Sequence, residues 1–163
     1  MTSPSERLAE LGLRLPPVAA PLAAYVPAVQ VGELIYSSGQ LPTVAGHLIA
    51  TGKVGADLTL EEGAECARVA ALNAVAAIAA VAGDIDAVSE VIKVAVFVAS
   101  APQFTSQPQV ANGASQLVGD IFGAGGRHVR SAVGVAVLPQ DAPVEVELIV
   151  RAQPMPHVQP VAM

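Results

Sequence analysis

Two valine-rich runs near the end of the chain, residues 131–138 and 144–150, place the strongest constraint on its fold. In each run, β-branched residues recur with the period of two that is typical of β-strands. A Pro-Gln-Asp-Ala-Pro segment separates the runs, so the pattern predicts an antiparallel hairpin. Arg130 leads into the first strand and Glu145 lies within the second. Because a carboxylate is costly to bury without a partner, we expect Glu145 either to face solvent or to work with Arg130 in a cleft.

The rest of the chain predicts two helices and further strands. Thr59 and Glu62 form a capping box, Thr-Leu-Glu-Glu, that opens a long helix ending near Ala82. A second helix is expected over residues 106–122. The order β-β-α-β-α-β-β predicts an α+β fold in which two helices pack on one face of a mixed sheet. The additional strands are expected at residues 25–31, 33–38 and 88–100.

The chain is long enough for one domain with short additions at both ends. Residues 1–20 are expected to form an N-terminal helix, at residues 3–12, followed by a proline-rich lead-in of extended chain. Residues 21–152 are expected to form the domain itself. Residues 153–163 contain three prolines and are expected to form a flexible tail.

Hydrophobic residues make up 53% of the chain but aromatic residues only 3%, so the core is expected to consist of alanine and valine. A sheet with helices on one face leaves its other face uncovered, which favours a homo-oligomer. A membrane span is not expected, because the apolar run at residues 69–83 is shorter than the about 20 residues that a span needs. The acidic N-terminus has no apolar core segment and is not expected to be a signal peptide. The single cysteine, Cys66, suits a reducing cytosol, so a cytoplasmic location is expected.

The formal charge of −6 and the scarcity of aromatic rings disfavour nucleic-acid binding. Metal binding is also not expected. The three histidines, His47, His128 and His157, have no ligand spacing with one another or with Cys66.

Arg130 is the strongest candidate for a functional residue, because a guanidinium at the mouth of a strand can hold a carboxylate by two hydrogen bonds. The alternative is a solvated arginine, or an ion pair with Glu145 or Glu147. Glu145 is a candidate general acid or base. The alternative is that Glu145 is simply an acidic residue on the outer face of a strand. Glu147, two residues further on, lies on the same face, so the alternation does not distinguish the two.

Other polar residues have simpler explanations when the sequence is taken alone. Tyr25 is expected to be a packed ring with a hydrated hydroxyl, Asn112 a polar residue on a helix face, and Asn73 a buried structural hydrogen-bonder. Ser131 follows Arg130, but the sequence shows no Ser-His-Asp arrangement around it, so a structural role is expected.

Seven motifs together resemble a known family. In chain order they are Tyr25-Val26, Tyr36-Ser37-Ser38-Gly39-Gln40-Leu41-Pro42, Asn73 in an alanine-rich helix, Asn112, Arg130-Ser131, Leu138-Pro139 and Val144-Glu145-Val146-Glu147. With these motifs the chain resembles the YjgF/YER057c/UK114 family, also called the Rid family of reactive-intermediate deaminases. The N-terminal helix and lead-in indicate a divergent branch.

The resemblance implies a chorismate-mutase-like fold, a homotrimer, and ligand sites in the clefts between subunits. It also implies hydrolysis of enamines and imines, such as 2-aminoacrylate, to 2-oxo acids and ammonia without a cofactor. Carried over to this chain, Arg130 would bind the substrate carboxylate and Glu145 would orient or activate the attacking water. Tyr25, Gly39 and Asn112 would line the pocket.

Ala132 stands where many relatives have a cysteine, so thiol chemistry at this position is excluded. An alternative function is a trimer that binds a small carboxylate metabolite without transforming it. Mutase chemistry on a dicarboxylate would need several cations, and only Arg127 is near Arg130 in the sequence. Some relatives are described as ribonucleases or translation inhibitors, which the acidic charge of this chain does not favour.

Overall fold

A computed structural model describes residues 1–153 of the chain, so most of the expected tail, and His157, lie outside the described residues. The helices are α1 (Pro4–Glu10), α2 (Leu60–Ala82) and α3 (Gln107–Phe122). The strands are β1 (Ala28–Val31), β2 (Leu34–Ser37), β3 (Thr43–Val44), β4 (His47–Leu48), β5 (Val88–Ala99), β6 (Val129–Val135) and β7 (Val144–Ala152). Short 3-10 turns lie at Ile85–Ala87, Gly123–Gly126 and Pro139–Asp141.

Five strands form one mixed sheet in the order β1-β2-β7-β5-β6, and β3 and β4 form a separate small hairpin. Helices α2 and α3 pack against each other and against one face of the large sheet. The predicted α+β fold, with two helices on one face of a mixed sheet, is therefore confirmed. The hairpin predicted around Gly32 is also present, although its first strand begins at Ala28 instead of residue 25.

The predicted hairpin at the end of the chain is wrong. Strand β5 lies between β6 and β7, and it pairs in parallel with β6 and antiparallel with β7. Helix α3 is the crossover that makes β6 parallel to β5, and the chain then passes over β5 before β7 begins. The alternating pattern correctly identifies both strands, but two antiparallel strands show the same pattern whether they are adjacent or separated by a third.

Helix α2 forms the centre of the core. Its predicted capping box is present, with the Thr59 hydroxyl accepting from the Glu62 amide and the Glu62 carboxylate accepting from the Thr59 amide. It ends at Gly83, whose φ of 84° lies in the left-handed region. At 23 residues, α2 is longer than the apolar run noted in the sequence, and by length and composition alone it could cross a membrane. Its burial against α3 and the sheet accounts for this hydropathy without a membrane.

The opposite face of the sheet has no covering element within residues 1–153. The side chains on this face include Val29, Val31, Tyr36, Val129 and Val133, all of them exposed. An apolar surface that extends over several strands of one sheet usually marks an interface with another protein chain.

The N-terminal segment packs on the helical side. Helix α1 has its own capping box, formed by Ser3 and Glu6, and it contacts α3. The Ser5 amide and hydroxyl donate to the two carboxylate oxygens of Asp86 at 2.8 and 2.6 Å. The hydrogen bond from the Ser5 hydroxyl makes the largest contribution to lowering the pKa of Asp86, and the bond from the Ser5 amide adds to it. Both bonds fix α1 to the turn before β5.

Candidate functional site

Arg130 lies on β6 and points towards the helices. Its register partner on β5 is Val94, which is fully buried beneath them. The Arg130 Nη1 group donates to Asn112 Oδ1 at 2.9 Å and to Ser115 Oγ at 3.2 Å, both on α3. Within residues 1–153, Arg130 forms no ion pair, so the suggested pairing with Glu145 or Glu147 is absent from the single subunit. Because one Nη atom makes both contacts, the rest of the guanidinium remains available to a carboxylate.

Sequence reasoning missed two residues of this cluster, Ser115 and His128. His128 Nδ1 lies 2.7 Å from the Gly126 carbonyl oxygen, which can only accept, so Nδ1 carries the proton. In neutral His128, Nε2 is therefore the acceptor, and the Ser115 hydroxyl donates a hydrogen bond to it at an O–N distance of 2.9 Å. This bond aims the Ser115 lone pairs at Arg130, so Ser115 and His128 hold the guanidinium in place together with Asn112.

Glu145 lies on β7 and points away from the helices, because its neighbours Val144 and Val146 are fully buried on the helical side. Its side chain is partly buried and packs on Gly39 so closely that a Cβ at position 39 would overlap the carboxylate. Burial, and secondly the charge of Glu147, raise the pKa of Glu145 above that of an ordinary carboxyl. The packing on Gly39 distinguishes Glu145 from Glu147, which the alternation alone could not do.

Arg130 and Glu145 do not meet within one subunit. Their register partners on β5, Val94 and Phe97, point to opposite faces of the sheet. With the usual rise along a strand and the usual spacing between strands, the Cα atoms of Arg130 and Glu145 are about 14 Å apart. The sequence-based expectation that the two arms of a final hairpin bring these side chains together is therefore wrong for a single chain.

Tyr25 and Gly39 both line a cavity of about 480 Å³ beside the start of β1. Tyr25 is 44% exposed and precedes the strand in which it was expected. Its hydroxyl oxygen lies 3.4 Å from the Leu22 amide, which donates to it. The candidate residues thus form two groups in one subunit: Tyr25 and Gly39 with Glu145 on one side, and Asn112 with Arg130 on the other.

The remaining polar candidates have structural roles or no partner for chemistry. Asn73 donates from Nδ2 to the carbonyl oxygens of Leu41 and Thr43 at 2.9 and 3.0 Å, which attaches the loop after β2 to α2. Burial raises the pKa of the Cys66 thiol to about 11, with smaller effects from nearby glutamates, so the thiol stays protonated. In the described part of the chain, no three His, Cys, Asp or Glu residues are grouped as metal ligands.

The chain is similar to a family model, to a named protein and to solved structures over most of its length. A family model described as YjgF/chorismate mutase-like, putative endoribonuclease, matches residues 5–151. Protein TCP17 of Trypanosoma cruzi is 49% identical over 146 residues, which is 88% of this chain and 90% of TCP17. The crystal structure of Atu1372 from Agrobacterium tumefaciens, a protein of unknown function, is 44% identical, covers 92% of each chain and has a TM-score of 0.84. The structure of E. coli TdcF with bound serine is 26% identical, covers 83% of this chain and 94% of TdcF, and has a TM-score of 0.61.

Proposed function

This chain belongs to the YjgF/chorismate mutase-like family, and we propose that it is a cofactor-independent hydrolase of 2-imino acids. In this proposal it converts imines, and the enamines that tautomerise to them, to 2-oxo acids and ammonia. The reaction takes place in clefts between the subunits of a homotrimer. Each cleft combines Arg130 and Asn112 of one subunit with Tyr25, Gly39 and Glu145 of its neighbour. Residues 21–152 are the catalytic unit, and the single buried cysteine suits a cytoplasmic location.

The observation that carries the proposal is the separation of the two candidate groups within one subunit. Arg130 is fixed by hydrogen bonds but forms no ion pair in residues 1–153. Glu145 has a raised pKa. The two side chains lie on opposite faces of the sheet. Perturbed carboxyl groups and positioned cations are typical of functional sites. Two such groups that cannot reach each other within one subunit can serve one site if a second subunit supplies the missing half.

The open face of the sheet supports assembly into an oligomer. It presents exposed valines on the two outer strands, including Val29 and Val129, and Tyr36 between them. Association through this face would remove those side chains from water and would also bury Glu145 and Glu147 further. A heterologous contact that closes after three subunits makes three equivalent clefts, which is the geometry that the proposal requires.

The proposed chemistry needs orientation, a positioned water and one proton shuttle. Arg130 binds the substrate carboxylate with its available guanidinium edge. As the water oxygen bonds to C2 of the imine, the C=N π bond breaks towards nitrogen, and Glu145 takes one proton from the water and delivers it to that nitrogen, which gives a carbinolamine. Proton transfer from the new hydroxyl to the nitrogen then breaks the C–N bond, so that ammonia leaves and the carbonyl of the 2-oxo acid forms. The raised pKa suits Glu145 to this role, because it can both accept and return the proton.

The test is ammonia and 2-oxo acid release from imines generated in situ by an amino acid oxidase. Glu145→Gln should lose turnover at least a hundredfold and keep its affinity for 2-oxo acids, because it keeps the shape of the site and loses the base. Glu147→Gln is the matched control on the same face of the same strand, and it should retain turnover near its pH optimum. Wild-type protein that binds 2-oxo acids but does not accelerate ammonia release would favour the non-catalytic binder.

The description of the family model includes endoribonuclease activity, so RNA is a second substrate class to test. The chain carries eight Lys and Arg residues against fourteen Asp and Glu, and an acidic protein gains little from contacts with phosphates. We therefore expect no RNA cleavage and no salt-dependent RNA binding by the purified protein. Affinity for RNA that falls steeply with salt would contradict this part of the proposal.

A further inference from the structure

The cavity beside Tyr25 is built largely by the proline-rich lead-in. Pro16 and Val18 of the lead-in, with Leu22 just after it, form one wall, and the loop after β2 forms the other. The cavity volume of about 480 Å³ lies in the range of small-molecule sites. Each of the six heavy atoms of 2-aminoacrylate can take at most the ~30 Å³ of a water molecule, so this substrate would occupy at most roughly 180 Å³. The lead-in therefore encloses far more space than the smallest imino acids need.

The chemistry of the lining is uncharged throughout. No Asp, Glu, Lys, Arg or His side chain lines the cavity in the described part of the chain. Three amide side chains line it, those of Gln40, Asn73 and Gln140, and the first two residues are each only 6% exposed. The Gln40 side chain forms no hydrogen bond with any residue from 1 to 153, and the bonds of Asn73 all use Nδ2, which leaves its carbonyl oxygen without a donor there. No side-chain N or O atom that lacks a partner is fully buried in residues 1–153, so these unpaired amide atoms are accessible to water or to a ligand.

The cavity adjoins the proposed reaction site at Gly39, although Glu145 itself does not line it. Gly39 lines it, and the Glu145 carboxylate packs on that same glycine. Tyr25 lines it from the other side. A substrate whose C2 lies beside Glu145 can therefore extend its side chain past Gly39 into the space beneath the lead-in.

We propose that this cavity binds the substrate side chain, and that the substrates are 2-imino acids whose side chains are uncharged and at least as large as that of leucine. This inference rests on the proposed function. The apolar wall that includes Val18 and Leu22 would exclude water from an aliphatic or aromatic side chain. The amide of Gln40 would hydrogen-bond a polar atom in that side chain where one is present. The lead-in thus determines specificity, and it does not take part in the chemistry.

The experiment measures kcat/KM for imines derived from alanine, leucine and glutamate, and the affinity for the corresponding 2-oxo acids. Each methylene moved from water into an apolar site improves binding about fourfold, so the leucine-derived imine should exceed the alanine-derived one by an order of magnitude or more. The glutamate-derived imine should be the poorest, because the cavity offers its carboxylate no cation.

Ala20→Trp, in the wall of the cavity, should abolish the preference for leucine over alanine by filling the space with an indole ring. Ala23→Trp is the matched control, because Ala23 is exposed on the same segment and does not line the cavity. It should leave both rates within about twofold of the wild type. Thermal unfolding of both variants excludes a loss of the fold.

The outcomes separate this inference from the proposed function. Turnover without a preference for large side chains, or a preference that survives Ala20→Trp, would overturn the inference and leave the deaminase. A third outcome is selective binding of the leucine-derived 2-oxo acid, lost in Ala20→Trp, without turnover of any imine. This outcome would support the assignment of the cavity and refute the deaminase. Neither binding nor turnover of any compound would refute both.

Discussion

Replacing Arg130 with lysine isolates the contribution of the planar guanidinium from that of its charge. Arg130 uses one Nη atom to contact Asn112 and Ser115, which orients the remaining edge of the guanidinium for two parallel bonds to a carboxylate. Lysine keeps the positive charge but offers a single point of contact. A hydrogen bond to a charged group contributes about 1.5–3 kcal/mol. Loss of one such bond should therefore lower kcat/KM by about 10- to 150-fold, mainly through KM.

The assay follows 2-oxo acid formation from an imine generated in situ, over a range of imine concentrations. Arg127→Lys is the control, because Arg127 is exposed just before β6 and the substitution is the same. The control should have wild-type kinetics, and thermal unfolding should show that Arg130→Lys is folded, since Arg130 contacts only neutral groups within residues 1–153. A kcat/KM for Arg130→Lys within threefold of the wild type would refute two-point recognition of the carboxylate by Arg130.

Three further predictions concern the groups around Arg130 and Glu145. Glu145 must be ionised to take a proton and its pKa is raised, so kcat/KM should fall on acidification at a pH above the usual glutamate pKa of about 4.3. Glu147→Gln should move this acidic limb of the pH profile to lower pH. An unmoved limb would contradict a contribution of the Glu147 charge to the pKa of Glu145. Gly39→Ala should displace the flexible Glu145 carboxylate and lower kcat by roughly a hundredfold, with little change in the thermal unfolding temperature. A kcat equal to that of the wild type would show that Glu145 needs no exact position. Ser115→Ala removes one acceptor of the charged Arg130 guanidinium, worth about 1.5–3 kcal/mol, so KM should rise about tenfold or more with kcat unchanged. An equal KM would assign no positioning role to Ser115.

Local signals in the sequence were sufficient to predict the helices and the strands of the large sheet, but not the small hairpin of β3 and β4. The capping box at Thr59 and Glu62 gives the start of α2, and the structure begins the helix at the expected residue. The alternating valines give both β6 and β7, with bounds close to those predicted. These signals depend on neighbours along the chain, so they do not require knowledge of the tertiary structure.

Strand partners could not be predicted in the same way. Whether β6 pairs with β7 or with β5 depends on where α3 returns the chain, and alternation carries no information on this. The error changed the account of the site, because adjacent strands in a hairpin would have allowed Arg130 and Glu145 to meet in one subunit. The actual order puts them on opposite faces and makes a second subunit necessary for the proposed chemistry.

The contacts that fix the candidate site were also beyond local signals. Asn112 and Ser115 are three residues apart on one helix face, and His128 and Arg130 are two apart in extended chain, so each pair could have been recognised as facing one way. Only the packing of α3 over β6 shows that the two pairs face each other. Likewise, the choice of Glu145 over Glu147 rests on the approach of Gly39, which comes from a distant loop.

The most direct test of the shared site is complementation between two inactive variants, Arg130→Ala and Glu145→Gln. Each variant alone should have almost no deaminase activity. When the two are unfolded together and refolded as mixed trimers, about a quarter of the clefts receive an intact Arg130 from one subunit and an intact Glu145 from its neighbour. A site assembled from two subunits should therefore recover about a quarter of wild-type activity. No recovery beyond that of the separately refolded variants would contradict such a site.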